Sequence, residues 1–441
     1  MAVPHTSDPI RNVARATIGR RTFLAGAGAA GLAGALTACA SSAPVTADGK
    51  SIVTIASWMQ FEPGRKAAWA SIVKKFNSQS TTIKVKLVGW PFTEYSNQVL
   101  TQVQSGGLTA DLITAPPDLA SRLLALGAYA PLDDAVSSAG VSPEENLHDF
   151  LTKDGQLFGV SATTVSFGLL YNEATFEKAN LTPATNVDEW LVQADALTER
   201  PDQFGLIQAN TMAEQANFWF QLQNWVNAYD GVWAKGSTPM VNSEPVVKTL
   251  ELYQKMYDTA IPQGSNDAQL MELMGQGRGA QALVVSATAN VLKSGNRDVY
   301  SALRSVAAPW ESGKGASRVH PISVYEGSSN PEAATEFLTW LLAPENMAEL
   351  MMDSLDVLPP YPEIDDVEAF AQYRNQLPWV EGYMDVEPVT PMDLMGDFIT
   401  ANDEFGNIVL SNFQSSLDGG TPIADAMDNA QDELEQLSER L

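Results

Sequence analysis

The chain of 441 residues has one cysteine, Cys39, and three histidines, His5, His148 and His320. An intrachain disulfide and a cysteine-based zinc site are excluded, and histidine-rich metal chemistry has almost nothing to build on. Positive charge is also scarce: 26 lysines and arginines stand against 53 acids, a net charge of -27. Nucleic acid binding draws its affinity from neutralised phosphates, and anionic lipid surfaces attract the same sign, so neither is an expected partner. The uncharged run Thr22–Ala38 is dominated by Ala and Gly and falls short of the roughly 20 strongly apolar residues of a membrane span. EF-hand, HExxH, P-loop and G-x-S-x-G patterns are missing, so no metal, cofactor or catalytic nucleophile is expected. Internal repeats are missing too. What is present is 45% hydrophobic and 18% charged residues, enough to bury a sizeable core and incompatible with disorder.

The N-terminus reads as an export signal. Arg11, Arg15, Arg20 and Arg21 precede the apolar run, with Asp8 the one acid among them. Arg20-Arg21-Thr22-Phe23-Leu24 resembles a twin-arginine signal. Leu36-Thr37-Ala38-Cys39 resembles a bacterial lipobox, in which the cysteine becomes the lipidated first residue. The expectation is a signal peptide over 1–38, a lipidated tether over 39–50, and a folded part held at the outer face of the cytoplasmic membrane. Gly26–Gly31 matches G-x-G-x-x-G, but it lies in the segment to be removed and in no βαβ unit, so no dinucleotide is expected.

Beyond the tether, strands and helices alternate. Ser51–Ser57 is a short apolar strand, and Gly64–Asn77 carries Ala68, Ile72, Val73 and Phe76 at helical spacing. Ile83, Val85 and Leu87 alternate with Lys84 and Lys86, giving a strand with one wet face. A helix around Tyr95–Val103, a strand at Ala110–Thr114 and a helix at Leu119–Ala125 follow. Phe158–Tyr171 is apolar and β-branched, Ala280–Ser286 and Arg304–Ala308 are short strand candidates, and Asn330-Pro331 and Thr421-Pro422 each open an amphipathic helix. Alternation of this kind implies an α/β layer with mostly parallel sheets flanked by helices.

The order of local motifs resembles an extracellular solute-binding protein of the maltose-binding type, the receptor of an ABC importer. The pieces are the strand ending at Trp58, Phe76-Asn77, Gly106–Leu112, Gly127–Leu132, Asp154–Val160, Tyr171-Asn172-Glu173, Val187–Trp190, Gly277–Ala280, Asn330–Leu338 and Gly419–Ala426. They run over essentially all of 51–440. The resemblance implies a two-lobe periplasmic-binding-protein fold, with 50–160 plus 323–372 as one lobe and 163–320 plus 378–441 as the other. Crossovers are expected near Ser161-Ala162, Ser323–Gly327 and Arg374–Pro378. It further implies a monomer that captures a sugar or oligosaccharide in the cleft and hands it to ABC permease subunits. An exported glycoside hydrolase, which needs only two carboxylates in a cleft, and a receptor for a non-sugar solute are the alternatives.

Sugars offer flat apolar faces and a rim of hydroxyls, so aromatic, carboxylate, amide and hydroxyl side chains are the candidate contacts. Trp58, Gln60 and Glu62 follow the first strand, Trp90 the second, and Asp118 the third. Thr164 follows the first crossover, where Val165 stands at a position that is often charged in the family. Ser286 follows a strand at which the maltose-type proteins carry a stacking tryptophan that is missing here. Trp310, Tyr325, Glu326 and Trp379 complete the candidate set, while Trp219, Trp225 and Trp233 lie on helical pattern and read as core.

Overall fold

A computed structural model describes residues 44–441 apart from 63, 64, 294 and 311. The export segment and Cys39 lie outside the described residues. Eight strands form the main sheet: β1 Ser51–Ala56, β2 Ile83–Val88, β3 Leu112–Thr114, β4 Val160–Asn172, β5 Gln281–Val285, β6 Leu303–Val306, β7 Lys314–Val324 and β8 Glu387–Val389. The path through it is β6-β4-β7-β3-β1-β2, with β5 beside β4 and β8 beside β7.

The parallel expectation holds for β1, β2 and β3. Elsewhere the sheet is mixed. Strand β4 runs antiparallel to β5, β6 and β7, and β7 runs antiparallel to β3. The reason is that β4 and β7 are long enough to leave one half of the molecule and enter the other, and they pair with each other on the way. Their pairing shifts register between His320 and Pro321. Proline cannot donate to a ladder, and the N–H of Ser161 opposite it is taken instead by Nε2 of the buried His148, 3.1 Å away. Nδ1 of His148 lies 2.7 Å from the carbonyl oxygen of Glu144, so the ring spans both groups in a neutral form; burial lowers its pKa.

Buried apolar side chains fall into two large clusters on either side of that strand pair. One draws on Val53–Ala162 and Ile322–Phe370, the other on Phe167–Ala316 and Leu394–Leu437. Trp219, Trp225 and Trp233 are inside the second cluster, as their helical spacing implies. A smaller cluster around Leu377, Trp379 and Tyr383 packs Leu170 and Leu303 of β4 and β6. The end of the expected tether is not extended: the Ile52 N–H bonds the Pro44 carbonyl, and Lys50 Nζ reaches the Ser80 carbonyl. Residues 44–50 are thus a turn docked on β1.

Candidate functional site

The C-terminal ends of β1, β2 and β3 come out side by side, which in an open α/β sheet is where a ligand is received. The turns there are held tightly. Ser57 Oγ lies 3.2 Å from the Met59 N–H and 3.0 Å from the Thr114 hydroxyl. Gly89, at φ 152°, passes so close that a Cβ would sit 2.0 Å from the Ser57 carbonyl oxygen. Only glycine fits, so the turns after β1 and β2 are in direct backbone contact.

Trp58 is 1% exposed. Its indole N–H donates to Glu62 Oε1 at 3.0 Å, and its ring packs on Phe92, Tyr95 and His320. Trp58 is therefore covered, while its neighbours Phe61 and Phe92 are 51% and 56% exposed and Trp90 is half-buried. Gln60 donates to the Ser57 carbonyl. Glu62 also lies beside Arg65, whose Nη2 pairs with Asp356 at 3.2 Å. That pair is nearly enclosed, with 14% and 3% of the side chains exposed. Burial pushes the Asp356 carboxyl up and Arg65 pulls it back. Removing one partner of a buried pair strands the other charge. Arg65→Met should therefore lower the unfolding free energy by about 2 kcal/mol, discounted from the roughly 3–5 kcal/mol of a fully buried pair. Asp356→Leu on that background should restore part of it in denaturant melts; equal melts for wild type and Arg65→Met would show the pair to be idle.

Strand β7 supplies two residues that sequence reasoning missed, Arg318 and His320, two apart and hence on one face. Arg318 Nη2 donates to Gln223 Oε1 at 2.7 Å, and the guanidinium lies 4.3 Å from the centre of the Phe220 ring. Gln223 is fixed in turn by Asn402, whose Oδ1 also accepts the Trp219 indole N–H. Burial lowers the Arg318 pKa to about 10, against the pull of Asp118 and Asp403, so it remains a cation. Neither carboxylate comes within ion-pair distance of it. Asp118, in the first turn of the helix Pro117–Ala125, has its carboxyl raised by burial and by Asp403 and lowered by the Leu119 N–H and Arg318. That helix packs on the turn Gly396–Ala401, next to Asn402 and Asp403. His320 Nδ1 lies 3.2 Å from the Thr163 hydroxyl, and burial, Arg65 and Arg318 lower its pKa to about 3. The ring is neutral at ordinary pH.

The candidate residues thus separate. Trp58, Gln60, Glu62, Trp90 and Asp118 gather around the strand ends. Thr164 is buried with its hydroxyl 3.1 Å from that of Ser161, within the crossover pair. Ser286 is buried at the end of β5, whose Val285 pairs with Phe167 at the crossover side of the second cluster. Four residues lie elsewhere. Trp310 packs on Trp190 and donates to the Lys314 carbonyl, inside the second cluster. Trp379, fully buried, packs on Tyr383 and donates to the Tyr300 hydroxyl. Tyr325 donates its N–H to the Asp111 carbonyl, so it and the exposed Glu326 sit at the end of β3 opposite Thr114. Among the described residues, no cluster of metal-ligating side chains occurs, and no helix is long and apolar enough to cross a membrane.

Several solved structures share this architecture. The sugar-binding protein MalE from Xanthomonas citri superposes with a TM-score of 0.76 at 15% identity, covering 88% of this chain and 98% of that one. The GacH receptor of Streptomyces glaucescens, solved unliganded and with acarbose, gives 0.73 at 16% identity over 88% and 98%. UgpB from Mycobacterium tuberculosis, in complex with glycerophosphocholine, gives 0.72 at 16% identity over 89% and 99%. No curated sequence matches significantly. These likenesses establish the two-lobe binding-protein fold. Residues 71–377 match the family model described as bacterial extracellular solute-binding protein, and the chain belongs to that family.

Proposed function

We propose that the chain is the sugar receptor of an ABC importer and not an enzyme. Its lobes are 50–160 plus 323–372 and 163–320 plus 378–441, and they close on a carbohydrate held between the ends of β1–β3 and Arg318. One observation carries the reading: a guanidinium that lies over Phe220 and is fixed by Gln223 feels the charges of Asp118 and Asp403 while pairing with neither. Donor and acceptor groups so held suit the hydroxyls of a neutral sugar, and Phe61, Trp90 and Phe92 offer apolar faces beside them. The acarbose bound by GacH and the sugar-binding role of MalE among the structural relatives support the choice.

The test is a thermal-shift screen against mono-, di- and oligosaccharides. A ligand at 100 times its Kd should add about 2.7 kcal/mol to the folded state. A screen in which no sugar shifts the melt while glycerophosphodiesters do would replace sugar by a non-sugar solute. Release of reducing ends from the same sugars would replace receptor by hydrolase.

The anchor is proposed on the lipobox alone: Cys39 carries lipid and holds a monomer at the outer face of the membrane. Cys39→Ser should leave the protein in the medium or as an unprocessed precursor, without labelled lipid. Equal labelling of the variant would end the proposal.

A further inference from the structure

Positive charge is unevenly placed along the chain. Residues 50–88 hold seven of the 26 lysines and arginines and one of the 53 acids, Glu62. Two of the seven, Arg65 and Lys75, are paired with Asp356 and Glu349. Lys50, Lys84 and Lys86 form no ion pair among the described residues. In β2, Lys84 and Lys86 are exposed while Ile83 and Val85 are buried. Side chains alternate along a strand, and Ile52 of β1 stands opposite Lys84, so Lys50, two residues before Ile52, falls on the same face. Val88, 39% exposed, continues that face. One acid is close: the Asp48 carboxyl is held below its ordinary range by hydrogen bonds from Thr46 and its own backbone N–H, and after these by the charges of Lys50 and Lys84. The run from β2 to β3, residues 89–111, adds only Glu94 and Asp111, and Asp111 is turned inward to the Thr54 N–H and the Ser328 hydroxyl.

The patch adjoins the tether. The Ile52 N–H and the Pro44 carbonyl, 2.9 Å apart, turn residues 44–50 back onto β1, and Lys50 Nζ donates to the Ser80 carbonyl at 2.8 Å. Five peptide steps separate Cys39 from Pro44, a reach of at most about 18 Å. Lipid on Cys39 therefore holds this face close to the headgroups. The net charge of -27 argues against an anionic bilayer as partner, but salt screens charges more than about 8 Å apart, so the patch meets a nearby headgroup on its own terms. Lys50 and Lys84 stand at the start of β1 and β2, at the opposite end of those strands from the ligand-receiving turns.

We propose that the face carrying Lys50, Lys84 and Lys86 docks on the anionic phospholipids of the membrane that anchors the chain, which leaves the ligand-receiving strand ends at the end of the lobe away from the bilayer. The inference rests on the lipid anchor at Cys39 proposed above. A lysine close to an anionic surface is worth about fivefold in binding, so three lysines less one acid should favour the docked pose roughly 30-fold.

Cys39 is the only cysteine, so the chain can be coupled there to a maleimide phospholipid in vesicles of phosphatidylcholine, with or without phosphatidylglycerol as a third of the lipid. Lysine acetylation at low conversion, read by mass spectrometry, then reports which face is covered. Lys50, Lys84 and Lys86 should react about 30-fold more slowly on the anionic vesicles, and high salt should remove the protection. Lys178 and Lys255, exposed on the second lobe, should react equally on both. Lys84→Gln combined with Lys86→Gln should bring Lys50 within about threefold of its rate on neutral vesicles, and should leave the melt unchanged because both side chains are exposed. Equal rates for the three lysines on the two kinds of vesicle would overturn the docking face, whatever Cys39 carries in the cell. Protection of Lys178 and Lys255 instead would also overturn it, by turning another face to the bilayer. Native protein without lipid on Cys39 would overturn the anchored pose even if the coupled chain showed the protection.

Discussion

Replacing Arg318 by methionine should weaken binding of the best sugar from the screen roughly 100-fold, about 2.7 kcal/mol. Hydrogen bonds from a charged donor are worth about 1.5–3 kcal/mol each, and more is lost when the acceptor is left in a dry site. One nitrogen of Arg318 is committed to Gln223, so the rest of the fork is free to donate to sugar hydroxyls. Loss of the cation also leaves Asp118 facing Asp403 with nothing between them in sign. The Asp118 carboxyl should then rise further, and affinity should fall more steeply as the solution is acidified. The apo protein should change little, because the lost stacking on Phe220 is offset by no longer enclosing a charge. Arg318→Lys keeps the charge but not the planar fork, and should sit between, near tenfold. Titration calorimetry beside apo melting curves separates the roles. An unchanged Kd with a large drop in melting temperature would make Arg318 a structural residue only.

Neither residue of β7 was legible in the sequence, although its surroundings were. The loops after β1, β2 and β3 stand out because an apolar run ends on Trp58, Trp90 or Asp118, and three parallel strands place such ends together. Tyr325 and Glu326 are candidates for lying beside a crossover, which says nothing about the end of the sheet they occupy. They also follow a strand, but β7 runs antiparallel to β3, so its end lies at the other edge of the sheet. Strand direction is a tertiary property that no local pattern carries. Trp310 and Trp379 mislead differently: an indole suits a core as well as a binding face, and burial against Trp190 or Tyr383 decides which. Register hid Arg318. The uncharged Val165 stands directly opposite it in the β4–β7 pair, so the charge missing from one strand is supplied by its neighbour. Only the pairing makes those two positions one.

His320 should make the protein acid-sensitive in a defined window. In the unfolded chain its pKa is near the ordinary 6.5, while burial, Arg65 and Arg318 hold it at about 3 in the folded state. Below pH 6.5 the unfolded chain takes up a proton that the folded protein refuses until about pH 3. Stability from this group is therefore complete above pH 6.5 and drains as pH falls, at about 1.4 kcal/mol per unit. The full shift would cost about 3 kcal/mol between pH 7 and pH 4; discounted for a half-buried ring, the loss should be about 2 kcal/mol. His148 acts in the same sense, because burial lowers its pKa as well. Asp118 and Asp356 act in the opposite sense: their raised carboxyls take up protons in the folded state first, which adds stability on acidification. The difference between wild type and one variant removes these shared contributions. His320→Asn keeps a polar group near the Thr163 hydroxyl and cannot titrate. Its denaturant-derived stability should lie close to that of wild type, or slightly below, at pH 7. By pH 4 it should have lost about 2 kcal/mol less than wild type. Curves that stay parallel from pH 7 to pH 4 would mean that His320 accepts its proton in the folded protein as readily as in the unfolded chain, and that the two arginines do not bear on it.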